Sequence, residues 1–296
     1  MPELPEVTVI TEQLNKKLKG LVLESIEYDW PKKFFWNGFS TRDLKGTKVK
    51  KVERIGKIVS IKVSNVSKVP EVSKEIRILI HLKLTGQLIY QDEKTRIAGG
   101  HPIPPLNLVV PNKTTRVTFA FTGGGHLYFN DIRKFGWVKI VENEGLKVKE
   151  AIGMELGPDP LTMSYGEFCE RLEKRGQSRI KKLLMDQSFV AGIGNIYSDE
   201  ALWRAKIHPR RSVVSLSGSE IRKLYEGIRE SLKLAIAKGG SSRNAFVDSG
   251  GEKGLYLSFA KAYHMTGKPC ARCKTPIVRE KMDGRSAHFC PFCQKL

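Results

Sequence analysis

Acidic side chains are scarce in this chain. Its 296 residues carry 31 Asp and Glu against 51 Lys and Arg, a formal charge of +20. Such an excess repels itself in a compact fold and is most readily offset by a polyanion. Nucleic acid comes first, with a solubilising or ribosome-associated surface as the alternative. Long basic runs are missing too. The longest, KVKKVERIGK at 48–57, is short, so the charge is dispersed over folded structure and not held in a tail. No stretch approaches the roughly 18 consecutive apolar residues of a membrane span, and the N-terminus lacks the basic-then-apolar order of a signal peptide. A cytoplasmic, nucleoid-associated protein without a membrane partner is the expectation.

Cysteine is nearly absent before the end of the chain. Cys169 stands alone in a helical pattern and reads as a buried apolar residue. The other four fall in the last 27 residues as CARC and CPFC, with 16 residues between the knuckles. In a reducing compartment that spacing points to metal and excludes a disulfide framework. Cys270, Cys273, Cys290 and Cys293 match a four-thiolate zinc ribbon with no open position, so one structural Zn2+ is expected. Between the knuckles, Asp283 and Gly284 form a two-residue hairpin turn that places Arg285 near the tip.

What is present divides into a β-rich and a helical half. After MPELPE, the apolar residues Val7, Ile10, Leu14 and Leu18 recur at helical spacing up to Gly20, predicting a helix over 5–19. Strand signals follow at 21–28, 57–63, 76–84, 116–121, 126–130 and 136–141, with clean alternation in KIVSIKV and IRILIHL. The stretch 92–115 has no period and reads as a loop. From Ser164 the pattern turns helical, and SFVAGIG makes a glycine turn into a helix that begins near Asn195. A helix N-terminus of this kind is a ready phosphate site, although asparagine there is also simply a good cap. The fold class is α+β and multi-domain. A β-sandwich with a leading helix spans 1–141, a linker 142–163, a helical domain 164–260 containing a small-residue loop at 241–254, and a zinc finger 261–296.

MPELPEV, ERIGK, HLKLTGQL, NDIRKFG, MDQSFVAGIGNIYSDEALWRAKIHP and the ribbon, in this order, resemble the formamidopyrimidine-DNA glycosylases across nearly the whole chain. The resemblance implies a β-sandwich, a helix-two-turns-helix domain and a zinc hairpin, with damaged double-stranded DNA as partner and a monomer as the working state. It also implies a DNA glycosylase and apurinic-site lyase that excises oxidised purines. Pro2 is then the nucleophile once Met1 is removed, Glu3 the acid that helps open the sugar, and Lys57 a proton donor in strand cleavage. Asn195 and Arg285 grip phosphates, Arg285 also serving the second elimination. Arg133 and Phe135 fill the gap left by the everted nucleotide, and 241–254 covers the oxidised purine.

The chemistry suits a terminal proline. An α-amino group is about 10–15% free base at pH 7, against about 0.04% for a lysine. A secondary amine attacking C1′ yields an iminium that is already cationic, the electron sink both eliminations require. Leu84 stands where the family's wedge has methionine, keeping volume but losing the thioether, and Ile132 and Lys134 replace a common proline and arginine. The stretch 101–115 departs from the family's histidine-containing segment. Arg116, with Thr114 as the alternative, is the candidate for the backbone contact that segment makes. After Tyr263, His264 departs from the family's glycine. A sister enzyme preferring oxidised pyrimidines is the nearest rival, against which Leu4 argues. A catalytically silent nucleic-acid-binding zinc protein is the rival of a different class, against which Pro2, Glu3 and Lys57 argue.

Overall fold

The computed structural model describes residues 1–36, 38–64, 75–100, 109–142, 145–241 and 254–296. They form two units, Met1–Met154 with Gly239–Gly254, and Glu155–Lys238 with Leu255–Leu296. The cover loop expected at 241–254 lies, apart from Ser241 and Gly254, outside the described residues, as does the 101–108 part of the stretch 101–115.

In the first unit α1 (Leu4–Leu18) is followed by β1 (Leu23–Tyr28), β2 (Phe34–Phe35), a short helix α2 (Thr41–Leu44), β3 (Val49–Ile55), β4 (Ile58–Val63) and β5 (Ile76–His81). Next come β6 (Gly86–Gln91), β7 (Arg96–Gly100), β8 (Thr115–Phe121), β9 (His126–Asp131), β10 (Trp137–Glu142) and α3 (Gly145–Ile152). Two five-stranded sheets result, ordered β1-β8-β9-β6-β7 and β2-β10-β5-β4-β3. Inward residues of both, such as Phe119, Phe129 and Leu88 from one and Ile61, Ile78 and Ile140 from the other, form one core with Val7, Ile10 and Leu14 of α1. This is the sandwich that strict alternation dictates, since every second side chain must leave water.

Four strands were illegible in the sequence. β2 is only two residues long, too short to show a period. β3 lies in the basic run, where Val49 and Val52 turn inward while the lysines stay out. β6 contains GQLIYQ, whose apolar residues do not alternate. β7 overturns the loop reading of 92–115: RIAGG pairs antiparallel with β6. Glycine there permits close approach of α1, because a Cβ on Gly99 would lie 2.5 Å from Ile10 Cγ1.

The second unit contains α4 (Tyr165–Glu173), α5 (Ile180–Leu184), α6 (Asn195–Ala205), α7 (Gly218–Ala237) and α8 (Tyr256–Phe259), then the hairpin β11 (Val278–Met282) and β12 (Arg285–Phe289). Helix α7 begins with a capping box in which Ser217 and Glu220 satisfy each other's backbone. The segment between α5 and α6 is held by Gln187, whose amide donates to Met185 O and Ile193 O while its carbonyl accepts from Gly192 N. Among the described residues no helix is long and apolar enough to cross a membrane.

Gly99→Val should push Ile10 and thereby α1 outward, lowering stability by about 1–3 kcal/mol as an overpacked core does. The check is the unfolding temperature; an unchanged value would mean that α1 does not need the close approach.

Candidate functional site

The N-terminal helix is built so that its first turn is fixed. Glu3 is the N-cap and Pro5 sits within the first turn, where its missing N–H loses nothing. Glu6 reaches back, its Oε2 accepting from Glu3 N at 2.8 Å. Leu4 is fully buried, and Glu3 and Glu6 are only 4% and 3% exposed, whereas Pro2 remains half-buried. The other oxygen of Glu6 accepts from Ser241 N at 2.8 Å and Ser241 Oγ at 2.9 Å. The carboxylate thus ties the head of α1 to the root of the segment that follows Ser241.

Lys57 lies at the tip of the β3–β4 hairpin, next to Gly56, which adopts φ +58°. That turn puts glycine first, as a two-residue connection allows. Arg54 braces the tip, donating through Nη1 to Gly56 O at 3.2 Å and through Nε to Thr8 Oγ1 of α1 at 2.9 Å. Lys57 is buried.

His81 faces Ile58 across the β4–β5 pairing, beside Lys57. Burial, followed by the ammonium groups of Lys83 and Lys57, pushes its pKa down to about 3. The ring is therefore neutral at physiological pH, and since Nδ1 accepts from Lys83 N at 3.0 Å, Nε2 carries the proton and can donate. Sequence reasoning missed this residue. The signal was present in the first letter of HLKLTG, which sits at the end of an apolar strand.

Leu84, Arg133 and Phe135 are brought together by one acid. Asp131 is buried, and its Oδ1 accepts from the Thr85 hydroxyl and from Arg133 N at 3.2 Å, while Oδ2 accepts from Gly136 N at 2.7 Å. Thr85 follows Leu84 directly, so a single carboxylate sets the spacing of both turns. Above it, Leu84, Ile132 and Phe135 are 39%, 52% and 46% exposed, and the Arg133 guanidinium stacks 4.6 Å from the Phe135 ring centre. Three exposed apolar side chains on turns held by one carboxylate are unusual outside an interface. Lys134, at φ +56°, rests its ammonium 4.2 Å over Trp30 and pins the turn from the other side.

Arg116 is placed differently from expectation. It is buried, with Nε donating to Asp131 O, Nη1 to Asp29 Oδ2 and Nη2 to Lys113 O. A guanidinium so occupied supports the Asp131 turn from beneath and offers no face to a phosphate. Thr114, the alternative, is also buried and bonds Asn112 Oδ1.

In the second unit Asn195 is the first residue of α6, after Gly194 at the N-cap. Its Oδ1 is buried and has no hydrogen-bond partner among the described residues. An orphaned amide atom at a positive helix end calls for a ligand, and an amide flip would present its NH2 donors there without a change of volume. Arg285 opens β12 and is exposed; Asp283 and Gly284 before it have φ +49° and +77°, the two left-handed residues of a tight hairpin.

The elements bearing Asn195 and Arg285 are joined by Asp199 of α6. One oxygen takes the Lys181 ammonium and the other accepts from His288 N at 3.0 Å, with the His288 ring Nδ1 at 2.9 Å. Lys181 also donates to Ser286 O at 2.9 Å, next to Arg285. All three side chains are at least 95% buried.

The ligand atoms of Cys270, Cys273, Cys290 and Cys293 lie within 4.8 Å of one another. Four thiolates at that separation suit a tetrahedral zinc, whose sulfurs sit about 2.3 Å from the metal. The set holds one structural zinc ion, with Trp203, Ala262 and Ile277 packed around it.

Three families match in chain order. The formamidopyrimidine-DNA glycosylase N-terminal domain covers residues 1–138, the formamidopyrimidine-DNA glycosylase H2TH domain 156–246, and the zinc finger found in FPG and IleRS 267–296. The formamidopyrimidine-DNA glycosylase of Pelotomaculum thermopropionicum is 37% identical over 299 residues, covering all of both chains. The Lactococcus lactis Fpg in complex with an abasic site containing DNA is 30% identical, with a TM-score of 0.81 over 99% of this chain and all of that one. A Lactococcus lactis mutant bound to a Fapy-dG containing DNA gives a TM-score of 0.82 at 30% identity, covering both chains completely. With its two main domains and zinc finger all matched in order over its whole length, the chain belongs to the formamidopyrimidine-DNA glycosylase family.

Proposed function

We propose that this protein is a bifunctional DNA glycosylase and abasic-site lyase of base excision repair that removes oxidised purines, such as 8-oxoguanine and formamidopyrimidines, and cuts the strand by β,δ-elimination. The observation that carries the residue assignment is the head of α1, where an accessible Pro2 precedes a first turn of buried carboxylates. With Met1 removed, the Pro2 amine attacks C1′ of the damaged nucleoside, the base leaves, and the resulting iminium withdraws electrons from the sugar. Glu3 transfers protons at the same sugar, because it is adjacent and shielded from bulk water. Lys57 donates a proton during strand cleavage, and Arg285 serves the second elimination.

Reaching C1′ in a duplex requires the nucleotide to leave the stack. Leu84, Arg133 and Phe135 form the wedge that fills its place, supported by Asp131. Asn195, Arg285 and the neutral His81 donate to flanking phosphates. Cys270, Cys273, Cys290 and Cys293 hold zinc that shapes the hairpin under Arg285 and takes no part in the chemistry. The protein acts as a monomer on damaged double-stranded DNA at the nucleoid.

A duplex with one 8-oxoguanine should be cut at that residue, leaving phosphate on both ends of the gap; an intact strand after prolonged incubation contradicts the reading. Glu3→Gln preserves the shape of the cap and should abolish base removal while leaving affinity for an abasic-site duplex within about threefold. Parallel loss of both would make Glu3 a capping residue only. Asp199→Ala strands the Lys181 ammonium in the interior and should cost about 3–5 kcal/mol of stability. A melting temperature unchanged from the parent would show that Asp199 does not join α6 to β12.

A further inference from the structure

The outer face of the sheet β2-β10-β5-β4-β3 is only partly covered. Ile58, His81 and Trp137 stand in register on β4, β5 and β10, and one step along the same face Ser60, Leu79, Lys139 and Phe35 do so across β4, β5, β10 and β2. Helix α3 closes over Ile58, Leu79 and Val141 with Val148 and Ala151. Beyond α3 the face continues to the edge strand β2, where Phe35 remains 38% exposed.

That uncovered end is cationic and aromatic. The Lys139 ammonium lies 4.9 Å from the Phe35 ring centre and 5.0 Å from that of Trp137, and it donates to Ala151 O at the end of α3 at 2.6 Å. Its pKa is lowered first by burial and then by repulsion from Lys33 and Lys83, while His81 senses both Lys83 and Lys57. Lys33 directly precedes β2, Lys139 lies on β10 and Lys83 follows β5, and these three strands pair side by side, so three cations border the same part of the sheet. Among the described residues, none of Lys33, Lys83 and Lys139 is in an ion pair with an acid. Behind Phe35 the neighbouring aromatics pack on one another, with Tyr28 stacked on Phe34 at 4.5 Å and Trp36 Nε1 donating to Tyr28 Oη at 3.2 Å.

A row of unneutralised ammonium groups is self-repulsive, and a polyanion lying along it removes that repulsion. Flat aromatic side chains set between cations are the combination that holds nucleic-acid strands without reading sequence. We propose that the row Lys83, Trp137, Lys139, Phe35 and Lys33 is a docking track for the lesion-bearing DNA strand. It carries the phosphates of flanking nucleotides outward from Lys57, with Phe35 as an apolar rest for a sugar or base at its outer end. The track rests on the glycosylase reading above and extends it. The strand's contact with the protein would run across the sheet to its edge and not stop at the nucleotides beside the lesion.

The test uses the full-length, zinc-loaded protein and a duplex with a central abasic-site analogue and long flanks, compared with duplexes shortened on the 5′ or the 3′ side of the lesion. Lys33→Glu should weaken binding to the long duplex about five- to tenfold and lower the log-log salt slope by about 0.9, the value of one phosphate. Phe35→Ala, which alters an exposed side chain, should weaken it about threefold or more. On the duplex lacking the flank that the track holds, parent and variants should bind alike. Lys19→Glu, an equal charge change on the exposed end of α1, should leave affinity within twofold. Equal affinity of parent and Lys33→Glu on every duplex overturns the track, and so does an equal loss with Lys19→Glu. The parent's cutting of an 8-oxoguanine duplex is measured alongside: cutting without any Lys33 or Phe35 effect removes the track alone, whereas no cutting removes the reading on which it rests.

Discussion

A reacting amine at a chain terminus has no preceding residue to hold it, so its position must be imposed from one side only. Here α1 imposes it. Its first turn is buried, and Glu6 closes that turn on Glu3 N at 2.8 Å. Thr8 and Asn15 tie the helix to the strands through Arg54 Nε and Val52 N at 2.9 Å and 2.8 Å. Gly99 lets the sheet come close enough to Ile10 to complete the seat. The hairpin tip with Lys57 is braced by the same Arg54, so the proposed nucleophile and the proposed proton donor depend on one set of contacts. A small shift of α1 would move both, and misplacement by about 1 Å is enough to slow chemistry about a hundredfold.

The scarcity of acids in this chain takes on a structural meaning. Several of the few it has are buried as hubs that accept hydrogen bonds: Glu6 for Glu3 and Ser241, Asp131 for Thr85, Arg133 and Gly136, Asp199 for Lys181 and His288. Glu200 joins them, its Oε1 accepting from Lys261, Ala262 and Tyr263 N at 3.0, 2.8 and 2.9 Å. A carboxylate in the interior is tolerated only when donors surround it, and each of these holds a turn or chain segment in place. Acids placed inward leave the outward surface to lysine and arginine, which is what a phosphate-binding protein requires.

The legible parts of the site were those whose chemistry is local. The Asp283–Gly284 turn, the four cysteines and the helix beginning at Asn195 each announce themselves within a few residues, because turn geometry, metal spacing and capping act over that range. The parts that were not legible are long-range. Arg116 read as a phosphate ligand because its partners, Asp29 and the Asp131 carbonyl, lie 87 and 15 residues away. His81 became a donor only through the strand pairing that buries it next to Lys57. β7 was hidden because Gly99 and Gly100 suggest a loop until the close approach of Ile10 is seen.

The proposed reaction begins with a carbon–nitrogen bond at Pro2. Borohydride added during reaction with 8-oxoguanine duplex should reduce the iminium to a stable cross-link, and mass analysis of the digested adduct should place the DNA fragment on the N-terminal peptide, beginning with Pro2. An adduct on the Lys57 peptide, or no adduct while the strand is cut, would contradict the account.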